Sequence, residues 1–207
     1  MKKDTFKHDE KIILPEPKYN SSTSVEMALL ERRSIREYKE EPLTLFEIAQ
    51  LLWSAQGRSN QKINFRTTPS AGALYPLELY VVIGNVEGVT KGVYRYNCFE
   101  HELLKVREGD VRDDLTIATL GQTCVRDGAV DFVFSAVFER ITQKYGDRGI
   151  RYVCMEAGHA AQNIYLQVVS LKMATVVLGA FRDEKVKKIL TMPDEEVPLY
   201  IMPIGKL

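Results

Sequence analysis

Residues 152–172, YVCMEAGHAAQNIYLQVVSLK, form the clearest single element of the sequence. Their apolar positions recur at alternating steps of four and three residues, which places them on one face of an α-helix. These positions are Ala157, Ala161, Ile164, Val168 and Leu171. Gly158 and Ala160 keep the early turns slim and permit close approach of another helix or of a ring system. The pattern predicts a long helix with one buried side.

Stretches rich in β-forming residues predict the strands of the fold. Residues 77–84 and 130–138 are nearly continuous in such residues and predict buried strands. Residues 93–96 and 103–106 flank a polar turn and predict a hairpin, and residues 199–202 predict a last strand. The predicted helices outnumber the predicted strands and do not alternate with them regularly. We therefore predict the α+β class, not a doubly wound parallel sheet.

Two capping boxes predict where helices begin. In such a box a Ser or Thr side chain and a Glu three residues later bind each other's backbone N–H groups. Thr23 and Glu26 form one candidate box, and Thr44 and Glu47 form a second. Gly57 is expected to end the second helix.

The length and composition predict one globular domain. The chain has 207 residues, 28 basic and 28 acidic side chains, a formal net charge of zero and 45% hydrophobic residues. This composition excludes a disordered chain, a fibrous repeat and a protein that coats nucleic acid through bulk positive charge. Residues 1–22, with Pro15 and Pro17, predict an N-terminal arm before a single domain over residues 23–207.

The chain is expected to be cytoplasmic. Its first residues are charged throughout and lack the apolar core of a secretory signal. No apolar run approaches the roughly 20 residues needed to cross a bilayer, so no membrane contact is expected. Cys98, Cys124 and Cys154 are odd in number and lack a CxxC spacing, which favours reduced thiols.

Several familiar sites are absent from the sequence. No GxGxxG follows a strand, and no P-loop, HExxH or spaced Cys/His cluster occurs, so no metal is expected. Glu156 and His159 lie one helical turn apart, and we interpret them as a polar pair on a helix flank. Cys154 stands at the wrong helical step from His159 for a thiol nucleophile.

Three short segments carry the candidate chemistry. Residues 32–36, RRSIR, offer three guanidinium groups and a hydroxyl that suit a phosphate, although they also fit a solvated basic patch at a helix end. Residues 68–76, TPSAGALYP, allow a flat ligand close to the backbone, or simply form a turn that feeds a strand. Residues 178–181, LGAF, place small residues after an apolar strand, where backbone amides could bind a ring nitrogen.

Taken in order, these segments resemble the nitroreductase family of FMN-dependent oxidoreductases. The motifs are RRSIR, PSAGALYP, EAGHAAQNIYLQ, LGAF and a terminal PIGK, and they cover the chain from about Val25 to its C-terminus. LLWSAQG and KYGDRGIRY are also similar to patterns of the SagB-type branch, which includes the thiazole- and oxazole-forming peptide dehydrogenases. The resemblance implies a nitroreductase-like fold with a central mixed, mostly antiparallel sheet flanked by helices.

The resemblance also implies that FMN is bound at the interface of a homodimer. The segments matching those that hold the FMN phosphate and ribityl chain contain Arg32, Arg33, Ser34, Arg36, Gly205 and Lys206. A segment matching one that reaches the flavin from the second subunit contains Pro69, Ser70, Ala71 and Gly72. Gly179 and Ala180 match the turn whose amides face flavin N5. Lys144 and Tyr145 match a pair that azoline dehydrogenases use to handle protons, or else lie in a loop before the long helix.

The implied activity is transfer of a hydride from NAD(P)H to FMN and of electrons onward to a small acceptor such as a nitroaromatic or a quinone. Three alternatives remain at this point. The protein could oxidise thiazolines and oxazolines in peptides, store a flavin without turnover, or bind another anion as an interaction module.

Overall fold

The centre of the fold is a seven-stranded sheet, and the computed structural model describes residues 11–60 and 65–207. The strands are β1 (Lys11–Ile13), β2 (Arg58–Asn60), β3 (Phe65–Arg66), β4 (Leu77–Ile83), β5 (Gly92–Asn97), β6 (Glu102–Glu108), β7 (Val130–Val137), β8 (Met173–Thr175) and β9 (Glu196–Lys206). The order in the large sheet is β1-β6-β5-β4-β7-β9-β8, and β2 pairs with β3 separately. Every pairing between these strands is antiparallel.

Helices cover both faces of the sheet. They are α1 (Val25–Glu31), α2 (Leu45–Gln56), α3 (Arg112–Ala118), α4 (Cys124–Asp127), α5 (Glu139–Tyr145), α6 (Arg148–Ser170) and α7 (Asp183–Leu190). The larger core lies under α2 and α6, and the smaller core lies under α3, α4 and α7. This arrangement confirms the predicted α+β class with a mostly antiparallel sheet.

The predicted strands at residues 77–84 and 130–138 are confirmed as β4 and β7, and the predicted hairpin is confirmed as β5 and β6. The last strand is longer than residues 199–202, because β9 continues through Pro198 and Pro203. Proline has no backbone N–H to donate to a neighbouring strand, so the sequence predicts a strand only between these two prolines. Pro198 is accommodated where the β7–β9 register shifts beside Ser135.

The second predicted capping box is confirmed, and the first is wrong. The Thr44 hydroxyl accepts from the Glu47 N–H at 3.3 Å, and the Glu47 carboxylate accepts from the Thr44 N–H at 2.8 Å. Helix α1 instead begins after Ser24, whose hydroxyl accepts from the Met27 N–H at 3.2 Å. Thr23 is engaged in a local turn, where its N–H donates to the Ser21 hydroxyl.

The long helix begins four residues earlier than residue 152, at Arg148. It follows α5 after only Gly146 and Asp147, and Gly149 lets the two helices approach closely. A Cβ atom added to Gly149 would lie 2.7 Å from Cγ2 of Ile141. The pair Lys144–Tyr145 therefore ends a helix and does not lie in a loop.

The described part of the predicted N-terminal arm packs on the domain. β1 forms the edge of the large sheet beside β6, and Leu14 is buried. The Lys18 N–H donates to the side-chain oxygen of Gln50 at 2.8 Å. Residues 1–10 of the arm lie outside the described residues.

Within residues 11–60 and 65–207, none of the helices is long and apolar enough to cross a membrane. Across the same residues, no three His, Cys, Asp or Glu side chains are grouped so that they could hold a metal ion. The three cysteines are free thiols; Cys98 and Cys124 are buried, and Cys154 is exposed.

Candidate functional site

The hydroxyl of Tyr165, on α6, joins the predicted RRSIR segment to Val177, which directly precedes the predicted segment at residues 178–181. It lies 2.9 Å from the Ser34 hydroxyl and accepts a hydrogen bond from the Val177 N–H at 2.9 Å. The Arg32 guanidinium lies over the Tyr165 ring at 5.3 Å from its centroid, a cation–π distance. We call Arg32, Ser34, Tyr165 and Val177 the Tyr165 cluster. Sequence reasoning missed Tyr165, because it stands outside the apolar stripe of the helix.

The chain following the Tyr165 cluster runs along the C-terminal strand. The Lys39 N–H donates to the Lys206 carbonyl at 3.1 Å. Tyr38 covers Gly205 so closely that a Cβ atom there would lie 2.6 Å from the Tyr38 Cβ. Gly205 therefore allows this close approach, which brings the residues just after RRSIR to the terminal Gly-Lys pair.

The Lys206 side chain is already paired with a carboxylate. Its ammonium donates to Glu47, the residue that also caps α2. Burial alone would raise the pKa of Glu47, but the hydrogen bonds from Lys206 and Thr44 lower it below its usual value. The positive charge of Lys206 is thus largely neutralised by Glu47, so a phosphate near Lys206 would compete with this ion pair.

The basic segment keeps most of its positive charge uncompensated. The Arg33 guanidinium donates to the carbonyls of Leu30 at 3.0 Å and Arg32 at 2.8 Å, which completes the end of α1. Arg33 and Arg36 are exposed. Over the described ranges, no carboxylate lies within ion-pair distance of Arg32, Arg33 or Arg36. Such a cluster at the surface suits an anion with several oxygens.

The turn at Gly179 and Ala180 is open. Both residues are exposed, and a Cβ atom added to Gly179 would meet nothing closer than a Tyr200 ring carbon at 3.8 Å. The turn follows Leu178, which pairs with Ile201 of β9. Because Val177 belongs to the Tyr165 cluster, the turn lies next to that cluster, as the resemblance implies.

The segment at residues 69–75 forms a second candidate centre, apart from the Tyr165 cluster, which is the first. Pro69 is exposed, and Ala71 begins a short 3₁₀ turn that ends at Ala73. The Ser70 hydroxyl accepts from the Tyr75 N–H at 2.9 Å and donates to Glu156 at 2.5 Å. We call residues 70–75 the Ser70 turn.

The Ser70 turn lies against the end of α5. A Cβ atom added to Gly72 would lie 2.8 Å from the Tyr145 hydroxyl and 3.0 Å from the Lys144 ammonium. The Tyr145 ring meets the Tyr152 ring edge-on, with centroids 5.3 Å apart. The structure thus brings Ser70, Ala71 and Gly72 to the predicted Lys144–Tyr145 pair.

Glu156 is the acidic group of this second centre. It is only 2% exposed, so the prediction of a polar pair on a helix flank with His159 is wrong: Glu156 faces inward and His159 faces outward. Burial raises the pKa of Glu156 to about 7, while the Ser70 hydrogen bond and the Arg66 charge oppose that rise. The spacing of Glu156 from Ala160 and Val153, both buried, could have indicated its inward position.

Helix α6 separates the two centres. Glu156 and Tyr165 are nine residues apart on it, which corresponds to two and a half turns and about 14 Å along the axis. Their side chains therefore leave opposite sides of the helix. Within one chain, the structure places the Gly179 turn next to the Tyr165 cluster, and separately brings the Ser70 turn to Lys144 and Tyr145.

Comparison with known proteins shows the family of this chain. A model of the nitroreductase family matches residues 29–206. The chain belongs to the nitroreductase family. Members and structural neighbours of this family are oxidoreductases, so the nitroreductase-like chain is an enzyme of that class. A crystal structure from Ralstonia eutropha, provisionally described as a nitroreductase, has a TM-score of 0.85 and 28% identity, covering 97% of this chain and 91% of that one.

Two relatives show the breadth of the family around this nitroreductase-like chain. MJ1384 of Methanocaldococcus jannaschii, provisionally named a nitroreductase, is 43% identical over 182 residues, covering 88% of this chain and 90% of that protein. The Microcin B17-processing protein McbC of Escherichia coli is 29% identical over 170 residues, covering 79% of this chain and 62% of McbC. The second relative confirms the resemblance to the SagB-type branch.

Proposed function

We propose that this nitroreductase-family protein is an FMN-dependent oxidoreductase that takes a hydride from NAD(P)H and passes electrons to a small acceptor in the cytoplasm. The observation that carries the proposal is the Tyr165 cluster. It joins a basic segment without carboxylate partners, over the described ranges, to an open glycine turn beside the C-terminal strand. A phosphate-bearing ring compound needs both features close together.

The residues present fit FMN in two ways. Arg32 and Arg36, with the Ser34 hydroxyl, supply forked donors and a hydroxyl for the phosphate. The space at Gly179, where an added Cβ atom would meet only Tyr200, leaves backbone groups accessible to a ring edge. When bound, FMN supplies the two-electron redox chemistry of the enzyme.

A homodimer would unite the two centres. The Ser70 turn and the Tyr165 cluster lie on opposite sides of α6, and one ligand would meet both where two copies face each other. Exposed apolar side chains lie on α1, where Val25 is 64% and Leu30 is 65% exposed, and on α6, where Met155 is 58% exposed. A second copy would bury this surface, which a monomer leaves in water at a cost.

The proposed reaction balances with NAD(P)H as reductant. The nicotinamide loses two electrons and one proton together as a hydride equivalent, and the acceptor gains two electrons and two protons. The second proton comes from solvent. Backbone N–H groups at Gly179 and cations near the ring would favour the reduced, more negative state of the cofactor.

Anaerobic mixing of the FMN-loaded protein with NADH, and separately with NADPH, tests the proposed activity. We expect the visible flavin absorbance to disappear with at least one nicotinamide and to return when a quinone is added. A flavin that neither nicotinamide reduces would instead favour a storage protein without turnover.

Replacing Arg32 or Arg36 by alanine is expected to weaken FMN binding. Each change removes charge-assisted bonds to the phosphate, worth roughly 1.5–3 kcal/mol, so the dissociation constant should rise about ten- to a hundredfold. Flavin fluorescence titration measures this. Arg126→Ala is the matched control, because this exposed guanidinium pairs with Asp127 on α4 and should leave FMN affinity unchanged. Wild-type affinity in both Arg32→Ala and Arg36→Ala would refute the phosphate assignment.

A second candidate function is oxidation of a thiazoline or oxazoline in a peptide. It is favoured by the position of Lys144 and Tyr145 against Gly72 and by the similarity to a microcin-processing protein. In that reaction Tyr145 as phenolate, or Lys144 as neutral amine, would take the carbon-bound proton while the hydride equivalent leaves to the cofactor. An acceptor such as dioxygen would then take up the two electrons.

Tyr145→Phe tests the second candidate with a synthetic thiazoline peptide and mass spectrometry of the product. We expect the two-hydrogen mass loss to slow by about a hundredfold, because a positioned acid or base contributes roughly that much. Tyr19→Phe, which removes an exposed hydroxyl far from the pair in sequence, serves as the control. A wild-type protein that leaves the peptide unchanged would rule this candidate out.

A further inference from the structure

Glu156 is a buried carboxyl group with an incomplete set of partners. One oxygen, Oε2, accepts the Ser70 hydroxyl at 2.5 Å, and the other, Oε1, has no hydrogen-bond partner in the described part of the chain. Burying a polar group without full hydrogen bonding costs stability. The residue is therefore unlike an ordinary core residue, and its position calls for another explanation.

The hydrogen bond to Glu156 fixes the direction of the Ser70 hydroxyl. A serine hydroxyl has one proton to give and lone pairs to accept with. Since the proton is donated to Glu156, a lone pair is left for the Tyr75 N–H, which donates at 2.9 Å. Glu156, Ser70 and the backbone of Tyr75 thus form one directed chain of hydrogen bonds.

This chain closes a strained turn. Gly72, Ala73 and Tyr75 have φ angles of 63°, 54° and 46°, which lie in the left-handed region that residues other than glycine rarely adopt. Such a backbone persists only where the surroundings hold it in place. The hydroxyl of Ser70 supplies one such stabilising contact, because it accepts a hydrogen bond from the N–H of Tyr75, the last strained residue.

The Ser70 turn carries Gly72 to the end of α5. The Tyr145 hydroxyl and the Lys144 ammonium lie within contact distance of the place where a Gly72 side chain would start. A shift of the turn would therefore change the space around both groups.

We propose that Glu156 is a positioning residue that acts through Ser70 to hold the Ser70 turn, and with it Gly72, against Tyr145 and Lys144. The catalytic consequence rests on the function proposed above, whereas the hold on the turn does not. Three cations among the described residues face this unit. Arg66 influences the ionisation of Glu156, the Arg140 guanidinium donates to the Tyr75 carbonyl at 3.1 Å, and Lys144 lies beyond the turn.

Hydrogen exchange of the Tyr75 amide in the FMN-free protein tests the hold directly. In Glu156→Met the side chain fills a similar space but cannot accept the Ser70 hydroxyl well. We expect the protection factor of Tyr75 to fall about tenfold, which corresponds to one hydrogen bond of ordinary strength. In Glu156→Gln the amide oxygen can still accept, so most of the protection should remain.

Ser70→Ala provides an independent variant, since it removes the hydroxyl without altering the buried face of α6. It should lower the protection of Tyr75 as much as Glu156→Met does, while Val81 in the sheet keeps its wild-type protection. The proposal is overturned if Tyr75 exchanges at the wild-type rate in Glu156→Met, whatever Ser70→Ala does. It is equally overturned if Val81 loses as much protection as Tyr75, because the role would then be merely structural.

Turnover of the FMN-loaded protein tests the consequence. We expect Glu156→Met and Ser70→Ala to lower kcat about tenfold with KM for NAD(P)H nearly unchanged, and Glu156→Gln to restore most of the rate. A protein that takes up no FMN, but loses Tyr75 protection in the variants, would refute the proposed function and leave the hold on the turn intact. If the Tyr75 amide exchanged at the wild-type rate in the variants and their turnover stayed normal, the positioning role would be refuted, whereas the proposed function would not.

Discussion

Replacing Gly72 by alanine is expected to lower kcat/KM for NAD(P)H-dependent reduction of a quinone by ten- to a hundredfold, because displacements of about 1 Å at a reacting site can cost that much. The new Cβ would lie 2.8 Å from the Tyr145 hydroxyl and 3.0 Å from the Lys144 ammonium. Both atoms end flexible side chains, so they should move aside at little cost in stability. Steady-state kinetics with an FMN-loaded enzyme measures the effect.

Gly88→Ala is the matched control for this prediction. Gly88 has φ of 69°, close to the 63° of Gly72, but an added Cβ there meets nothing within 4 Å. Both substitutions should therefore cost about 1 kcal/mol of folding free energy for the left-handed backbone, while only Gly72→Ala changes turnover. Equal turnover in the two variants would show that the contact with Tyr145 and Lys144 has no part in the reaction.

Replacing Asp131 by asparagine is expected to stabilise the protein increasingly as the pH rises. Asp131 lies fully buried on β7, and neither carboxyl oxygen has a hydrogen-bond partner among the described residues. Burial raises the pKa of Asp131 well above its usual value, and the nearby Arg112 charge only partly offsets this. The folded protein therefore holds a proton that the unfolded chain releases.

The sign of the pH dependence follows from this proton. Stability contributed by Asp131 is complete below the ordinary aspartate pKa and is lost as the pH rises towards the raised value, at about 1.4 kcal/mol per pH unit. The side-chain amide in Asp131→Asn does not titrate, so the free energy of unfolding of this variant should exceed that of the wild type by a margin that grows with pH. Urea unfolding at a series of pH values measures it.

The exposed residue Asp194 supplies the control for this second prediction. Asp194→Asn removes a carboxylate from the surface and should shift the unfolding free energy by a nearly constant, small amount at every pH. A difference between wild type and Asp131→Asn that stays constant with pH would contradict the protonated, buried state of Asp131.

Local sequence patterns predicted the elements that depend on neighbouring residues. The capping box at Thr44 and Glu47 and the apolar runs of β4 and β7 needed no tertiary information. The start of α6 at Arg148 depends on the contact of Gly149 with Ile141, which belongs to another helix. The passage of β9 through Pro198 depends on a register shift opposite β7. These features arise from packing partners that the local sequence does not reveal.

The sequence predicted which segments form the candidate site, but it did not predict the side chains that link these segments to one another. The resemblance named RRSIR, the Ser70 segment and the terminal Gly-Lys pair, and the structure places the residues that follow RRSIR beside that pair. Tyr165, Glu156 and Glu47 connect or compensate these segments, yet each occurs within a helical pattern that also suits an ordinary surface or core residue. Their roles depend on contacts between residues more than a hundred positions apart for Ser34–Tyr165 and Glu47–Lys206.

Titration of the purified protein with FMN, followed by visible absorbance and by the oligomeric state of the same sample, directly tests whether the protein binds this cofactor as a dimer. We expect saturable binding of one FMN per chain by a dimer, with binding weakened in Arg32→Ala. A colourless protein that leaves all added FMN free in solution would contradict it.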